Sequence, residues 1–196
     1  HPAFSFAMID TFCLDSTTKL WALCVADVGA GLAQAFVIRD SYPPTSEAVF
    51  TTYVVRWATI YGPHKLIVAD RDTIFKSHAG HDLWADIAIE RGTTGSYAHF
   101  SLGSAERKIQ MYRWSIDRMR DGGTAPNTIT GWEIALATIG NCFANEPDFS
   151  GTTPSMRTQG RMTSILRNAL TDDPITSEET TNNHIQLAEH ALEVYQ

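Results

Sequence analysis

The chain has no apolar run near the roughly 20 residues that a membrane-spanning helix requires, so no transmembrane helix is expected. It has no Cys-x-x-Cys pair. Its three cysteines, Cys13, Cys24 and Cys142, are odd in number, widely spaced and set among apolar residues. They read as buried reduced thiols of an intracellular protein, not as a disulfide framework. A signal peptide is also missing, and the chain begins His1-Pro2 in place of Met, so it reads as a segment of something longer. No internal repeat is visible. What is present is ordinary for a folded domain: 196 residues, 43% hydrophobic and 10% aromatic. That is enough for one core without disulfides or structural metal.

Positive charge is missing from one end only. All fifteen Lys and Arg lie within residues 1–170, beside sixteen acids, leaving that part at −1 of the formal −7. The other six acids, Asp172, Asp173, Glu178, Glu179, Glu189 and Glu193, sit in a tail without Lys or Arg. The acidity belongs to an appendage, so it does not argue against a nucleic-acid partner for the main domain. The expected organisation is a core over 1–165, an acidic linker over 166–183 and a short helix or tail over 184–196.

Residues 4–10 read as a buried strand ending at Asp10, with polar turn residues over 11–19. Leu20 to Ala26 and Leu32 to Ile38 follow as strands, joined by a hairpin through Asp27-Val28-Gly29-Ala30-Gly31. Val49, Phe50, Tyr53, Val54, Trp57, Ala58 and Tyr61 recur at helical spacing until Gly62-Pro63. Leu66-Ile67-Val68-Ala69 is a fourth strand, ending at Asp70. A helix fits residues 79–90, and a short strand or loop fits 92–97. Ser104 can cap a helix whose core stripe is Ala105, Ile109, Tyr112, Ile116 and Met119, broken by Gly122-Gly123. Another helix fits Ile129 to Phe143, and residues 144–162 look irregular. Hairpins for three strands, then a helix and a strand, predict a mixed α/β sheet with helices on its faces. The fourth strand, arriving after a helix, can lie parallel to the first, which would set Asp10 beside Asp70.

Glu106 completes a set of three carboxylates, with thirty-five residues between Asp70 and Glu106. Two carboxylates about 4 Å apart repel by about 4 kcal/mol at an effective dielectric near 20, so a cluster needs a cation. Mg²⁺ suits hard carboxylate oxygens and keeps positions open for water and phosphate. Residue by residue, bland readings compete. A strand-end Asp is usually a turn former, and a Glu in a first helical turn complements the helix dipole. Asp72 competes with Asp70, and Asp27 belongs to the hairpin. The residues alone leave these readings open.

The order and context of these residues resemble the catalytic core of retroviral and long-terminal-repeat retrotransposon integrases. Trp57 with Tyr61-Gly62-Pro63-His64 is similar to that family's run before its fourth strand. Leu66-Ile67-Val68-Ala69-Asp70-Arg71-Asp72-Thr73-Ile74-Phe75 is similar to its strand, aspartate and downstream Phe, and Glu106-Arg107 to its Glu-Arg pair. Asn145, Gly151-Thr152-Thr153-Pro154 and Gly160-Arg161 resemble its later segment. The likeness spans roughly residues 4–165. It departs at Leu102-Gly103-Ser104-Ala105, where the family often has Asn-Gly, and at Asp72, where Gly is common. The hairpin also lacks the aromatic that the family usually carries near Gly31.

The resemblance implies a ribonuclease-H-like α/β fold with a five-stranded mixed sheet, three antiparallel strands followed by parallel ones. It implies Asp10, Asp70 and Glu106 as catalytic and metal-holding residues for two Mg²⁺ or Mn²⁺ ions. Asp10 would bridge both ions, and the activity would be 3′-end processing and strand transfer on DNA. Lys108, Arg113, Arg107 and His99 are the candidate DNA contacts, and Arg157, Arg161 and Arg167 form a second basic cluster. His78-x-x-His81 with Asp82 and Asp86 reads as a polar helix surface. Expected partners are element ends, target DNA and a second copy of the chain, in an intracellular and, on chromosomal DNA, nuclear setting. The main rival is a decayed or domesticated integrase-like module that binds DNA or protein without chemistry. A hydrolytic nuclease of the same fold would need a fourth active-site carboxylate, and none is convincingly placed.

Overall fold

The structure, a computed structural model, describes residues 3–39, 42–69, 78–93, 99–147 and 151–159. Its strands are β1 (Phe6–Asp15), β2 (Leu20–Asp27), β3 (Ala33–Ile38), β4 (Leu66–Ala69) and β5 (Glu90–Thr93). They form one sheet in the order β3-β2-β1-β4-β5. β1 pairs antiparallel with β2, and β2 antiparallel with β3. β4 pairs parallel with both β1 and β5. This is the five-stranded mixed sheet expected from the sequence, three antiparallel strands followed by parallel ones, and β4 does lie beside β1.

Strand alternation divides the core in two. Phe6, Met8, Phe12 and Leu14 of β1 face a cluster with Ala105, Ile109, Tyr112, Ile116 and Met119 of α4 (His99–Asp121). Trp132, Leu136, Ile139 and Phe143 of α5 (Ile129–Asn145) join that cluster. Ala7 and Ile9 face the other way, toward Val49 and Tyr53 of α1 (Ser46–Tyr53) and Trp84 of α3 (His78–Asp86). Between α1 and the short α2 (Thr59–Tyr61) the helix widens into a π-turn, Val54–Ala58, that carries the buried Trp57. Thr45 caps α1 by accepting from the Ala48 N–H, and Thr128 caps α5 by accepting from the Gly131 N–H.

Several boundaries differ from the sequence reading, among them the helix expected over 79–90, which ends at Asp86 with Glu90 already in β5. β1 does not stop at Asp10 but runs on to Asp15, because Phe12 and Leu14 continue the alternation beyond it. The turn comes later, where Asp15 accepts from the Thr17 N–H at 2.8 Å and the Thr18 hydroxyl at 2.7 Å. The Thr18 hydroxyl above all, then the Thr17 amide, holds the Asp15 carboxyl below its ordinary pKa. α4 begins at His99, so Ser104 is not its cap and Glu106 lies in its third turn. A short α6 (Pro154–Gln159) occupies part of the segment expected to be irregular. Residues 160–196, which include the expected linker, terminal helix and Arg161 and Arg167, lie outside the described residues.

One close approach fixes how α5 sits on the sheet. A Cβ on Gly140 would stand 2.6 Å from the Tyr112 hydroxyl and 3.6 Å from the Ala33 carbonyl. Gly140→Ala in a helix normally gains up to about 1 kcal/mol. Here overpacking costs about 1–3 kcal/mol, so the expected sign is a net loss of stability. Urea denaturation measures it, and a stabilised variant would contradict this packing.

Candidate functional site

One face of β1 carries a break in its apolar pattern. On the face where Phe6, Met8, Phe12 and Leu14 are each 7% exposed or less, the fifth residue of the strand is Asp10. A large apolar residue buried there would gain about 1.5–3 kcal/mol. A carboxylate at this position therefore spends stability on something other than the core.

Two contacts of Asp10 lie among the described residues. Its Oδ1 accepts from the Thr11 N–H at 2.8 Å. Its Oδ2 accepts from Nη2 of Arg113 at 2.5 Å, a pair whose side chains are 21% and 49% exposed respectively. Asp10 thus presents one oxygen to a cation at the boundary between core and solvent. That is the donor chemistry a hard divalent ion uses, and the residue fits such a ligand.

Other contacts of α4 show how the helix is laid along the sheet. Lys108 Nζ donates to the Gly31 carbonyl at 2.5 Å, and Arg120 Nη2 donates to the carbonyls of Cys13 at 2.7 Å and Leu14 at 2.6 Å. Arg113 meets β1 between these points, so α4 runs in the same direction as β1. Glu106 and Arg107 are exposed on the helix surface. Glu106 stands seven residues before Arg113, two turns along the same face, or about 10.5 Å of axial rise.

The structure therefore brings Asp10 and Arg113 together and places Glu106 on the same helix. β4 ends next to Asp10, since Ala69 pairs with Ile9. Asp70 and its competitor Asp72 lie outside the described residues, as does the side chain of His99. Among the described residues, no three His, Cys, Asp or Glu side chains group closely enough to hold a metal ion. Lys108, expected to reach DNA, spends its ammonium on the hairpin carbonyl. Burial lowers its pKa first, with Arg157 adding to that and Glu146 opposing it. Arg157 joins it there, donating from Nη1 to the Ala30 carbonyl at 3.3 Å. Two helices thus pin the turn after β2.

Sequence reasoning missed a second buried polar group. His64 and Asp27 are fully buried, with Nε2 of His64 3.2 Å from Oδ2 of Asp27 but poorly aligned for a hydrogen bond. The Tyr53 hydroxyl accepts from the His64 N–H at 3.0 Å and lies 2.9 Å from Nδ1. The Tyr53 hydroxyl is satisfied when it donates to Nδ1, which leaves the ring proton on Nε2 facing Asp27. Burial pushes the Tyr53 phenol up to about 12, so it keeps its proton. Asp27 also accepts from the Phe4 N–H at 2.9 Å and the Ala30 N–H at 2.5 Å. This group ties the β2–β3 hairpin to the entry of β4, the strand that ends beside Asp10.

Comparison by sequence finds no matching family model and no matching curated protein. Comparison by structure is different. The chain is similar to the catalytic core domain of BIV integrase, with a TM-score of 0.60 at 20% identity over 80% of this chain and 95% of that one. It is similar to a chain of the simian T-cell lymphotropic virus intasome in complex with a PP2A B56γ subunit, with a TM-score of 0.62 at 16% identity. That match covers 90% of this chain and 59% of the other. The HTLV-2 integrase catalytic core, solved as a dimeric form with magnesium, matches with a TM-score of 0.57 at 14% identity, over 78% and 94%. At these identities the likeness shows the fold: this chain has the architecture of retroviral integrase catalytic cores. No described helix is long and apolar enough to cross a membrane.

Proposed function

We propose that the chain is an integrase-type catalytic core that transfers nucleotidyl groups on DNA with divalent metal ions. The observation that carries this reading is Asp10, a carboxylate on the buried face of the central strand, opposite α4 and beside the end of β4. Asp70 follows Ala69 in the chain. Asp70 and Glu106 are the partners proposed for Asp10, with Arg107 and Arg113 as cations for DNA phosphates.

Mg²⁺ or Mn²⁺, held as a pair, would stabilise the attacking and leaving oxygens of an in-line phosphoryl displacement. The chain's own residues would hold the carboxylate cluster in place, keep water from the apolar side of Asp10 and orient the phosphate backbone. A water would attack first, and the freed 3′-hydroxyl would then attack a target strand, with no covalent protein intermediate. The magnesium-bound HTLV-2 core supports the choice of metal, and its dimeric form supports a homodimer. Sedimentation that shows only monomer at high concentration would count against the dimer. A nuclear site of action follows if the target is chromosomal DNA.

The test is cleavage and strand transfer on labelled duplex oligonucleotides, with and without Mg²⁺ or Mn²⁺. Metal-dependent nicking that EDTA abolishes is expected. DNA binding without any nicking, and without heat on titrating either metal, would favour the decayed-module reading.

A further inference from the structure

We propose that Arg113 is an exchange residue that covers Asp10 in the metal-free protein and passes to a DNA phosphate when a divalent cation takes its place. The inference rests on the metal-site reading above and concerns how that site is regulated. Nη2 of Arg113 lies 2.5 Å from Oδ2 of Asp10, while Oδ1 faces the Thr11 amide. A divalent ion coordinates a carboxylate oxygen at about 2.0–2.1 Å for Mg²⁺. A guanidinium at hydrogen-bonding distance from the same oxygen would then be held against a doubly charged cation in a partly desolvated setting, where repulsion is strong. That repulsion favours one cation or the other at Oδ2.

Arg113 has somewhere to go. Its side chain is 49% exposed, and it shares a helix face with Glu106 two turns away. Its planar fork matches phosphate as well as carboxylate. It differs in this from Lys108 and Arg120 on the same helix, which hold backbone carbonyls of the sheet. Metal arrival would replace the Arg113 contact on Asp10 and leave a released cation beside the metal site. Metal and DNA would then bind cooperatively, and by linkage each would raise the affinity of the other by the same factor.

The test has two binding readouts, neither of them activity. In calorimetric titration with Mn²⁺, Arg113→Ala should bind the metal about two- to fivefold more tightly than the parent, the factor that an exposed ion pair is worth. Arg113→Gln, which keeps the aliphatic stem, should do the same. Arg118→Ala, a control that removes an exposed cation of the same helix, should stay within about twofold on the same scale. The second readout is the salt dependence of binding to a duplex oligonucleotide, with and without Ca²⁺. The slopes of parent and Arg113→Ala should coincide without the ion and differ by about 0.9 with it, one phosphate contact. Equal Mn²⁺ affinity in parent and variants, or a slope difference that is the same with and without Ca²⁺, overturns the exchange while leaving the metal site standing. Failure of every protein to bind Mn²⁺ overturns the metal-site reading itself, and the exchange with it.

Discussion

Asp10→Asn should lower the rate of Mg²⁺-dependent DNA nicking by at least about 100-fold, the upper end of what losing a mere outer-shell partner costs a metal site. Asn keeps the shape and one acceptor oxygen but removes the charge that a hard cation needs. Unfolding cannot produce a loss of that size. The pair broken by the change is part-exposed on both sides, and such pairs are worth about 1 kcal/mol or less. Glu106→Gln should show a comparable loss of nicking, with no measurable change in stability, since Glu106 is exposed on α4. Single-turnover nicking with matched thermal unfolding curves separates the two effects. Unchanged rates in both variants would remove these residues from the chemistry.

The largest stability effect is expected away from that site, at Asp27. Asp27→Ala should destabilise the fold by about 2–6 kcal/mol, because it removes the acceptor of two backbone amides. The Phe4 and Ala30 amides lose their acceptor, and the His64 ring loses the carboxylate that faces it. Each unsatisfied buried group costs about 1–3 kcal/mol, and the Asp27 side chain is 0% exposed. Asp27→Asn keeps one acceptor oxygen and should lose less. Urea melts of both variants measure the order, and a loss under about 1 kcal/mol in Asp27→Ala would mean that the group is not the tie described here.

How far these features were legible depends on the range of the interaction. The parallel pairing of β4 with β1 could be read from element order alone, since a strand reached through a helix can return alongside. The length of β1 could not. Thr11 is polar yet 6% exposed, and it masked the alternation that Phe12 and Leu14 continue. Helix α4 was cut short for a similar reason, because Gly103 and Ser104 look like a boundary in local terms. In the structure the helix passes through them, and nothing lies within 4 Å of where a Gly103 Cβ would be. The ion pair of Asp10 with Arg113 spans 103 residues, and Asp27 meets His64 from the far side of a helix. No local spacing encodes either contact. The basic residues of α4 illustrate the same limit: Lys108 and Arg113 look alike in sequence, but one is spent on a backbone carbonyl and the other on the carboxylate of Asp10.

The most direct measurement is anomalous diffraction from crystals of the protein soaked in Mn²⁺. The account predicts an anomalous peak within about 2.0–2.3 Å of an Asp10 carboxylate oxygen, a distance typical of hard divalent ions on carboxylates. Asp70 and Glu106 should turn toward the same peak, and Arg113 should be displaced from Oδ2. Crystals that show no peak there, with Arg113 still seated on Asp10 at saturating Mn²⁺, would contradict it.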